Sequence, residues 1–364
     1  GGAYNYTSIQ DAINNESTLS GDTISVYDNG GTPYTYNENV VVNKTNLTVQ
    51  STGLVTVNGS SSPSNPVFTV NSQGAYANII GFILTGATNS AGFLVTGTND
   101  VTLTNLTINN CQRGVSFQGT NTNITVNGVN INSPTAQGIY LGDTAANVTI
   151  NNTNITSSGG HGIEKVNTAN LDGITITNTQ ITNANGHGIF LTDYSPWGAY
   201  LRNINIQNTT ITNSTQEGIF ISMETTTSGN TTITNTNLNN NNWCGIYLST
   251  RGTLTLTNNT FTHNGYGGGD NTYYGLRIIG TNNSNITITT DNTFQENRNG
   301  IRLENVGQET NPINLNGNLI NNNAGYPIWI NSGHYITITN ATFDDATTQT
   351  LTGNRIQRAI TLEG

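Results

Sequence analysis

A four-residue text, glycine then apolar, variable, apolar, returns along the chain at Gly92, Gly114, Gly138, Gly188, Gly218, Gly245, Gly275 and Gly300. Gly162-Ile163-Glu164-Lys165 and Pro327-Ile328-Trp329-Ile330 are variants of it. The interval is roughly 22–32 residues, which is the period of a solenoid coil. Between these anchors, segments such as Asn147-Val148-Thr149-Ile150 and Gly173-Ile174-Thr175-Ile176 alternate apolar and polar residues with period two, so Val, Ile and Leu share one face and Thr and Asn the other. A bend column follows each such segment: Asn105, Asn152, Asn178, Asn208, Asn235, Asn258 and Asn340, with Gly128 and Gly317 in two repeats and an extra residue at Thr290-Asp291. Asn and Gly enter the left-handed backbone region at least cost, which predicts one such bend per repeat.

Three short strands per repeat and no helical period predict an all-β fold, a right-handed parallel β-helix of roughly twelve coils stacked about 4.8 Å apart. Thr7-Ser8-Ile9-Gln10-Asp11-Ala12-Ile13 reads as a capped, short amphipathic helix. The expected organisation is therefore a cap helix within 1–20 and a single solenoid over 21–364, its last coil at Arg355–Leu362 left uncovered. An uncovered coil offers strand edges, so self-association or docking to other envelope proteins is expected there. In the Gly162 repeat, alternation turns Lys165 inward where other repeats carry Leu, which predicts a local bulge.

Composition narrows the classes of function. Of 364 residues, 33% are hydrophobic and 8% charged, with 41 Gly, and 10 Lys+Arg against 20 Asp+Glu give a net charge of −10. No basic stripe marks a nucleic-acid surface, and no apolar run is long enough to span a bilayer. Cys111 and Cys244 lie five repeats apart, too far to bridge, and are expected as free thiols. Neither has companions at metal-ligand spacing, so no cofactor and no resident metal is expected.

Two columns carry candidate chemistry. The variable position of the repeat points outward and reads Leu94, Ser116, Tyr140, Glu164, Phe190, Phe220, Tyr247, Arg277, Arg302 and Trp329. Aromatic faces suit sugars and guanidinium groups suit carboxylates, so Tyr140, Phe190, Phe220, Tyr247, Arg277, Arg302 and Trp329, with Trp197 from the Asp193–Tyr200 loop, form a candidate ligand or partner face. A second aromatic loop, Asn264–Tyr274, stands ready to wall it. The residue before each anchor glycine reads Arg113, Gln137, His161, His187, Glu217, Cys244, Tyr274, Asn299 and Tyr326. His161, His187 and Glu217 fall on consecutive repeats, with Glu164 nearby and Asp193 beyond the Phe190 strand. That grouping makes His161, Glu164, His187, Asp193 and Glu217 candidates for acid–base catalysis, or for holding a divalent ion if the histidines converge. Asn-x-Ser/Thr sequons at Asn43, Asn58, Asn123, Asn147, Asn230 and Asn285 are glycosylation candidates.

Taken together, Ser8-Ile9-Gln10-Asp11-Ala12-Ile13, Gly21-Asp22-Thr23-Ile24-Ser25-Val26, Glu38-Asn39-Val40-Val41-Val42 and the Gly-Ile-x-Leu and Ile-Thr-Ile-Thr-Asn coils resemble the parallel β-helix repeats of the pectate-lyase-like superfamily. The nearest flavour is that of NosD-like repeats and the adhesin-like surface proteins of methanogenic archaea. The resemblance implies an extracellular, cell-surface structural or adhesin-like protein. Its alternative is a carbohydrate-active enzyme, a polysaccharide lyase, hydrolase or tailspike-like depolymerase, with its groove on the Gly-Ile-x-Leu sheet.

Overall fold

A computed structural model describes residues 6–166, 168–193, 199–223, 229–250, 252–267, 272–280, 285–307, 312–331, 335–338 and 360–362. Every ladder between the described strands is parallel, and the chain winds as a right-handed parallel β-solenoid with three long sheets, a short three-stranded one being formed by Ile313–Asn314, Ile336–Ile338 and Ile360–Leu362. The chain divides into two compact units, Gly1–Ala169 and Asn170–Gly364.

The first unit opens with helix α1 (Ile9–Asn14), which buries Ile9, Ala12 and Ile13. Ser8 caps it, its Oγ accepting from the Asp11 amide at 3.2 Å. The reciprocal half of the cap comes from the first coil, since the Glu38 carboxylate accepts from the amides of Ile9 and Gln10 at 2.9 Å each. A carboxylate against free first-turn amides satisfies donors that a six-residue helix has no other means of pairing. Behind it, each sheet of the unit stacks six strands, for example Val40–Val42, Phe68–Val70, Ala91–Thr96, Arg113–Gln118, Ile139–Leu141 and Ile163–Lys165 in the third. Phe68 stacks between Phe82 and Phe93 inside, with ring centroids 5.3 and 5.9 Å apart.

In the second unit, the coils as far as Ile301–Glu304 each run through one strand of each long sheet. Leu171–Thr177 belongs to the first, Gln180–Thr182 to the second and Ile189–Asp193 to the third. The third sheet, built on the Gly-Ile-x-Leu text, continues through Ile219–Met223, Ile246–Ser249, Leu276–Ile279, Ile301–Glu304 and Ile328–Asn331. A Cβ on Gly188 would stand 2.3 Å from the Ile211 side chain and 2.6 Å from the Gly218 carbonyl, so the anchor is glycine because two coils approach too closely for anything else. Strand Ile360–Leu362 pairs with Ile336–Ile338, while residues 339–359, including Asn340 and most of the expected last coil, lie outside the described residues.

The described members of the predicted bend column all have positive φ, from 47° at Asn152 to 73° at Asp291. A second left-handed column follows the second sheet: Asn110, Ser133, Ser157, Asn183, Asn213, Asn240, His263, Glu296 and Asn322. These two corners recur from coil to coil, and a third left-handed position, Asn46, Tyr76, Asp100, Asn123, Asn147, Gly173 and Asn203, falls at or near the start of the first-sheet strands.

Just after those corners, the last coils bury asparagines in two ladders. Asn264 accepts on Oδ1 from the backbone and side-chain amides of Asn241 (3.1 and 3.0 Å) and donates to Leu238 O (2.9 Å) and Asn297 Oδ1 (3.0 Å). Asn297 repeats the pattern onto Asn323, and Asn259, Asn292 and Asn318 form the parallel ladder. At the position of Asn259, earlier coils carry Thr179 and Thr209 instead, each hydroxyl donating to the carbonyl two residues back at 2.9 Å, while Ala184 and Ser214 stand at the position of Asn241. Both solutions pair the buried side chain at the Asn259 position, as burial demands.

No bulge forms at Lys165. Ile139 pairs with Ile163, Tyr140 with Glu164 and Leu141 with Lys165 without a break, and Lys165 is fully buried, its Nζ donating to the Val166 carbonyl at 3.3 Å. The uninterrupted backbone ladder outweighs the misfit of the side chain, because a bulge would strand backbone donors and acceptors in the stack.

Candidate ligand-binding face

The outward column of the third sheet is where the second unit departs from a Thr/Asn surface. Equivalent outward positions on the first sheet are Thr175, Asn205, Thr232 and Thr255, and on the second Thr210, Asn237, Thr260 and Thr293. On the third, register places Phe190, Phe220, Tyr247, Arg277, Arg302 and Trp329 side by side on consecutive coils, none fully buried and the two arginine side chains 24% and 11% exposed.

The rings of this column stack on one another. Phe190 and Phe220 have centroids 5.3 Å apart, and Phe220 and Tyr247 4.7 Å with planes 6° apart. His187 covers the open face of Phe190 at 4.7 Å, and the Arg277 guanidinium sits over Tyr247 at 5.1 Å. Parallel strands a single rung apart bring like rings face to face, so the ladder turns its edges outward.

Charge gathers at the other end. Arg277 donates Nε–H to Glu304 Oε1 at 2.8 Å, while Arg302 Nε lies 2.7 Å from the same oxygen at an angle unlike a hydrogen bond, an ionic contact. The Arg302 guanidinium also caps the Trp329 ring at 3.7 Å. One carboxylate thus serves two guanidinium groups, leaving this end of the face net positive on a chain of net charge −10. Alternation along Ile301-Arg302-Leu303-Glu304 puts Arg302 and Glu304 on the same side, a signal available in the sequence that the Arg column alone did not use. Trp243 and Tyr273, stacked at 5.6 Å, flank the ladder and were likewise unassigned.

His161 and Glu164 belong to the first unit, and His187, Asp193 and Glu217 to the second. His187 Nδ1 and Glu217 Oε2 do meet, 3.0 Å apart, but their side chains are only 8% and 7% exposed. Phe190, Phe220 and Trp243 enclose the imidazole. Asp193 is fully buried in register with Met223. Glu164 accepts from Gln137 Nε2 at 2.6 Å, Gln137 Oε1 accepts from Arg113 Nε at 2.9 Å, and the Arg113 guanidinium lies over Tyr140 at 3.9 Å. That row is a polar counterpart of the second unit's ladder. Trp197 lies outside the described residues, as do 194–198 and 268–271 of the two aromatic loops. Among the described residues no group of three or more His, Cys, Asp or Glu side chains is placed to hold a metal ion.

Both cysteines are free and buried. Burial pushes the Cys244 thiol up to about 12 and that of Cys111 up to about 11. Of the sequons, Asn230 and Asn285 are exposed, whereas the side-chain amides of Asn58, Asn123 and Asn147 already donate to Asn37, Asp100 and Asn123, and Asn43 is half-buried.

The model of the right-handed β-helix region matches residues 66–228, 113–289 and 166–343, together most of the chain. The chain belongs to the right-handed β-helix family. Among solved structures of β-helix proteins, it is similar to the A-module of the mannuronan C-5 epimerase AlgE6 of Azotobacter vinelandii (TM-score 0.60, 13% identity, covering 93% of this chain and 94% of that one). It is also similar to the AlgE4 A-module of the same organism (0.56, 13%, covering 94% and 91%) and to the family 28 exopolygalacturonase of Yersinia enterocolitica (0.56, 12%, covering 93% and 74%). At this identity the likeness is one of fold. No curated protein matches the chain in sequence.

Proposed function

We propose that this β-helix protein is carbohydrate-active and holds an acidic polysaccharide along the third sheet of its second unit. The observation that carries the reading is the outward column Phe190, Phe220, Tyr247, Arg277, Arg302 and Trp329, in register on consecutive coils of one sheet while the other two sheets present Thr and Asn. Ring edges with a Tyr hydroxyl give a sugar chain apolar contact and hydrogen bonds, and guanidinium forks match carboxylates. Neighbours of the same fold that are named as mannuronan epimerases and an exopolygalacturonase support a uronate-containing polymer as the first class to try. The extracellular setting belongs to the proposal, since polymers of this size are met outside the cell. Docking to envelope proteins or self-association is the competing use of the same face.

Affinity electrophoresis in gels containing polygalacturonate, alginate or a neutral glucan tests the reading. Retardation by the acidic polymers, relieved in Arg277→Ala and Tyr247→Ala variants that retain the β-sheet circular dichroism, is expected. Equal mobility in all gels would overturn it. Turnover is read on the same polymers by reducing ends and by the ultraviolet absorbance of unsaturated uronates. His187→Ala, which removes an enclosed group, is expected to act on stability rather than on binding.

A further inference from the structure

The second left-handed column holds, at Glu296, a residue that does not belong there on conformational grounds. At Asn183, Asn213 and Asn240 the positive φ is carried by asparagine, whose short amide bonds locally and tolerates it. The next two coils carry His263 (φ 53°) and Glu296 (φ 54°). Glutamate has no such tolerance, and a strained residue that persists points to a function of its side chain. The two side chains meet, His263 Nε2 lying 2.9 Å from Glu296 Oε2, and stay 52% and 41% exposed. Tyr266 stands beside them, its hydroxyl donating to the Glu296 carbonyl at 3.1 Å and half of its surface open. Together with Asn213, Asn240, Asn241 and Asn242, His263 and Tyr266 line an open hollow of about 490 Å³. No residue of the third-sheet column lines it.

We infer that this hollow is a second carbohydrate site, distinct from the acidic-polymer face, that takes a neutral hexopyranosyl unit. The Tyr266 ring supplies a stacking platform, and the exposed amides of Asn213, Asn240 and Asn242 with the His263–Glu296 pair supply donors and acceptors for vicinal hydroxyls. Neutrality follows from the balance of charges present: the amides carry none, and the Glu296 carboxylate, paired with His263, offsets the Arg298 guanidinium that acts with it on Tyr266, so no net positive charge is left for a uronate. The inference does not rest on the proposed function, because it uses other residues on another edge of the coil.

The test is calorimetric titration of the whole chain with hexasaccharides of cellulose, mannan and amylose, with oligogalacturonate as the acidic probe. At least one neutral sugar is expected to bind, and Tyr266→Ala and Glu296→Asn are each expected to weaken it by about tenfold or more, leaving oligogalacturonate binding unchanged. Glu296→Asn restores the tolerated residue of the column, so its unfolding midpoint is expected to equal or exceed that of the parent. The inference is overturned if no neutral hexasaccharide binds at millimolar concentration, if binding survives both substitutions, or if Glu296→Asn lowers the midpoint.

Discussion

Replacing Glu304 by glutamine keeps the shape of the side chain and removes the one negative charge between Arg277 and Arg302. In the parent, Glu304 Oε1 lies 2.8 Å from Arg277 Nε and 2.7 Å from Arg302 Nε, and the three side chains are 12%, 24% and 11% exposed. The two arginines are register partners on adjacent strands, roughly 5 Å apart by the spacing of a parallel sheet. At an effective dielectric of about 20, two like charges at that distance repel by roughly 3 kcal/mol. Partial exposure screens part of this, and Gln retains one acceptor, so the expected loss is about 2 kcal/mol, between the values for exposed and buried pairs. Urea unfolding followed by circular dichroism reads it as a midpoint shift on the order of 1 M. The same change raises the local charge by one unit, so polygalacturonate is expected to bind more tightly to Glu304→Gln than to the parent. A variant as stable as the parent with unaltered polymer affinity would refute the reasoning, because it would mean that the cluster is neither electrostatically coupled nor part of the face.

Three further outcomes follow from the packing. Asn264→Ala strands the Asn241 amide and the Leu238 carbonyl inside the turn, and a loss of about 2–5 kcal/mol in unfolding free energy is expected at roughly 1–3 kcal/mol per orphaned group. Gly188→Ala drives a Cβ against Ile211 and the Gly218 carbonyl, so a lowered unfolding midpoint, equivalent to about 1–3 kcal/mol of overpacking, is expected. The thiols of Cys111 and Cys244 should resist iodoacetamide at neutral pH in the folded chain and react after unfolding in urea. Since the folded thiols titrate near 11 and 12 against an ordinary 9.0, their protonated forms favour folding below pH 9. That contribution is lost as pH rises from 9 through the folded values, so a urea midpoint that stays level across this alkaline window in the parent but declines in a doubly Cys→Ala chain would contradict the assignment.

The architecture was legible because two periodicities agree. The anchor glycine recurs with the coil, and Ile-Thr-Ile-Thr alternates with the strand, so inward and outward columns could be read directly. The first left-handed corner was legible for the same reason, as Asn105 through Asn258 occupy one column. The second corner was not, because Ser133, Ser157, His263 and Glu296 interrupt its asparagines. Inward asparagine ladders were not legible because the corresponding earlier positions are Thr179 and Thr209, which satisfy themselves locally, in one ladder and Ala184 and Ser214 in the other.

The candidate site was read at the level of columns. His187 and Glu217 were correctly neighbours, but their enclosure depends on rings contributed by three separate coils, Phe190, Phe220 and Trp243, whose packing no single repeat encodes. The orientation of those rings was equally hidden, since outward direction follows from alternation while face-to-face stacking follows from the register of the coils. Lys165 shows the same limit from the other side: one inward charge reads as a break in the text, yet the backbone ladder runs through it unchanged.

Hydroxyl-radical footprinting with mass spectrometry, in the presence and absence of oligogalacturonate, tests the central claim most directly. Protection confined to Phe220, Tyr247 and Trp329 of the third-sheet column, and absent from Tyr34 and Tyr76 exposed in the first unit, is the expected result. Binding without protection of that column, or protection spread evenly over all exposed tyrosines, would contradict it.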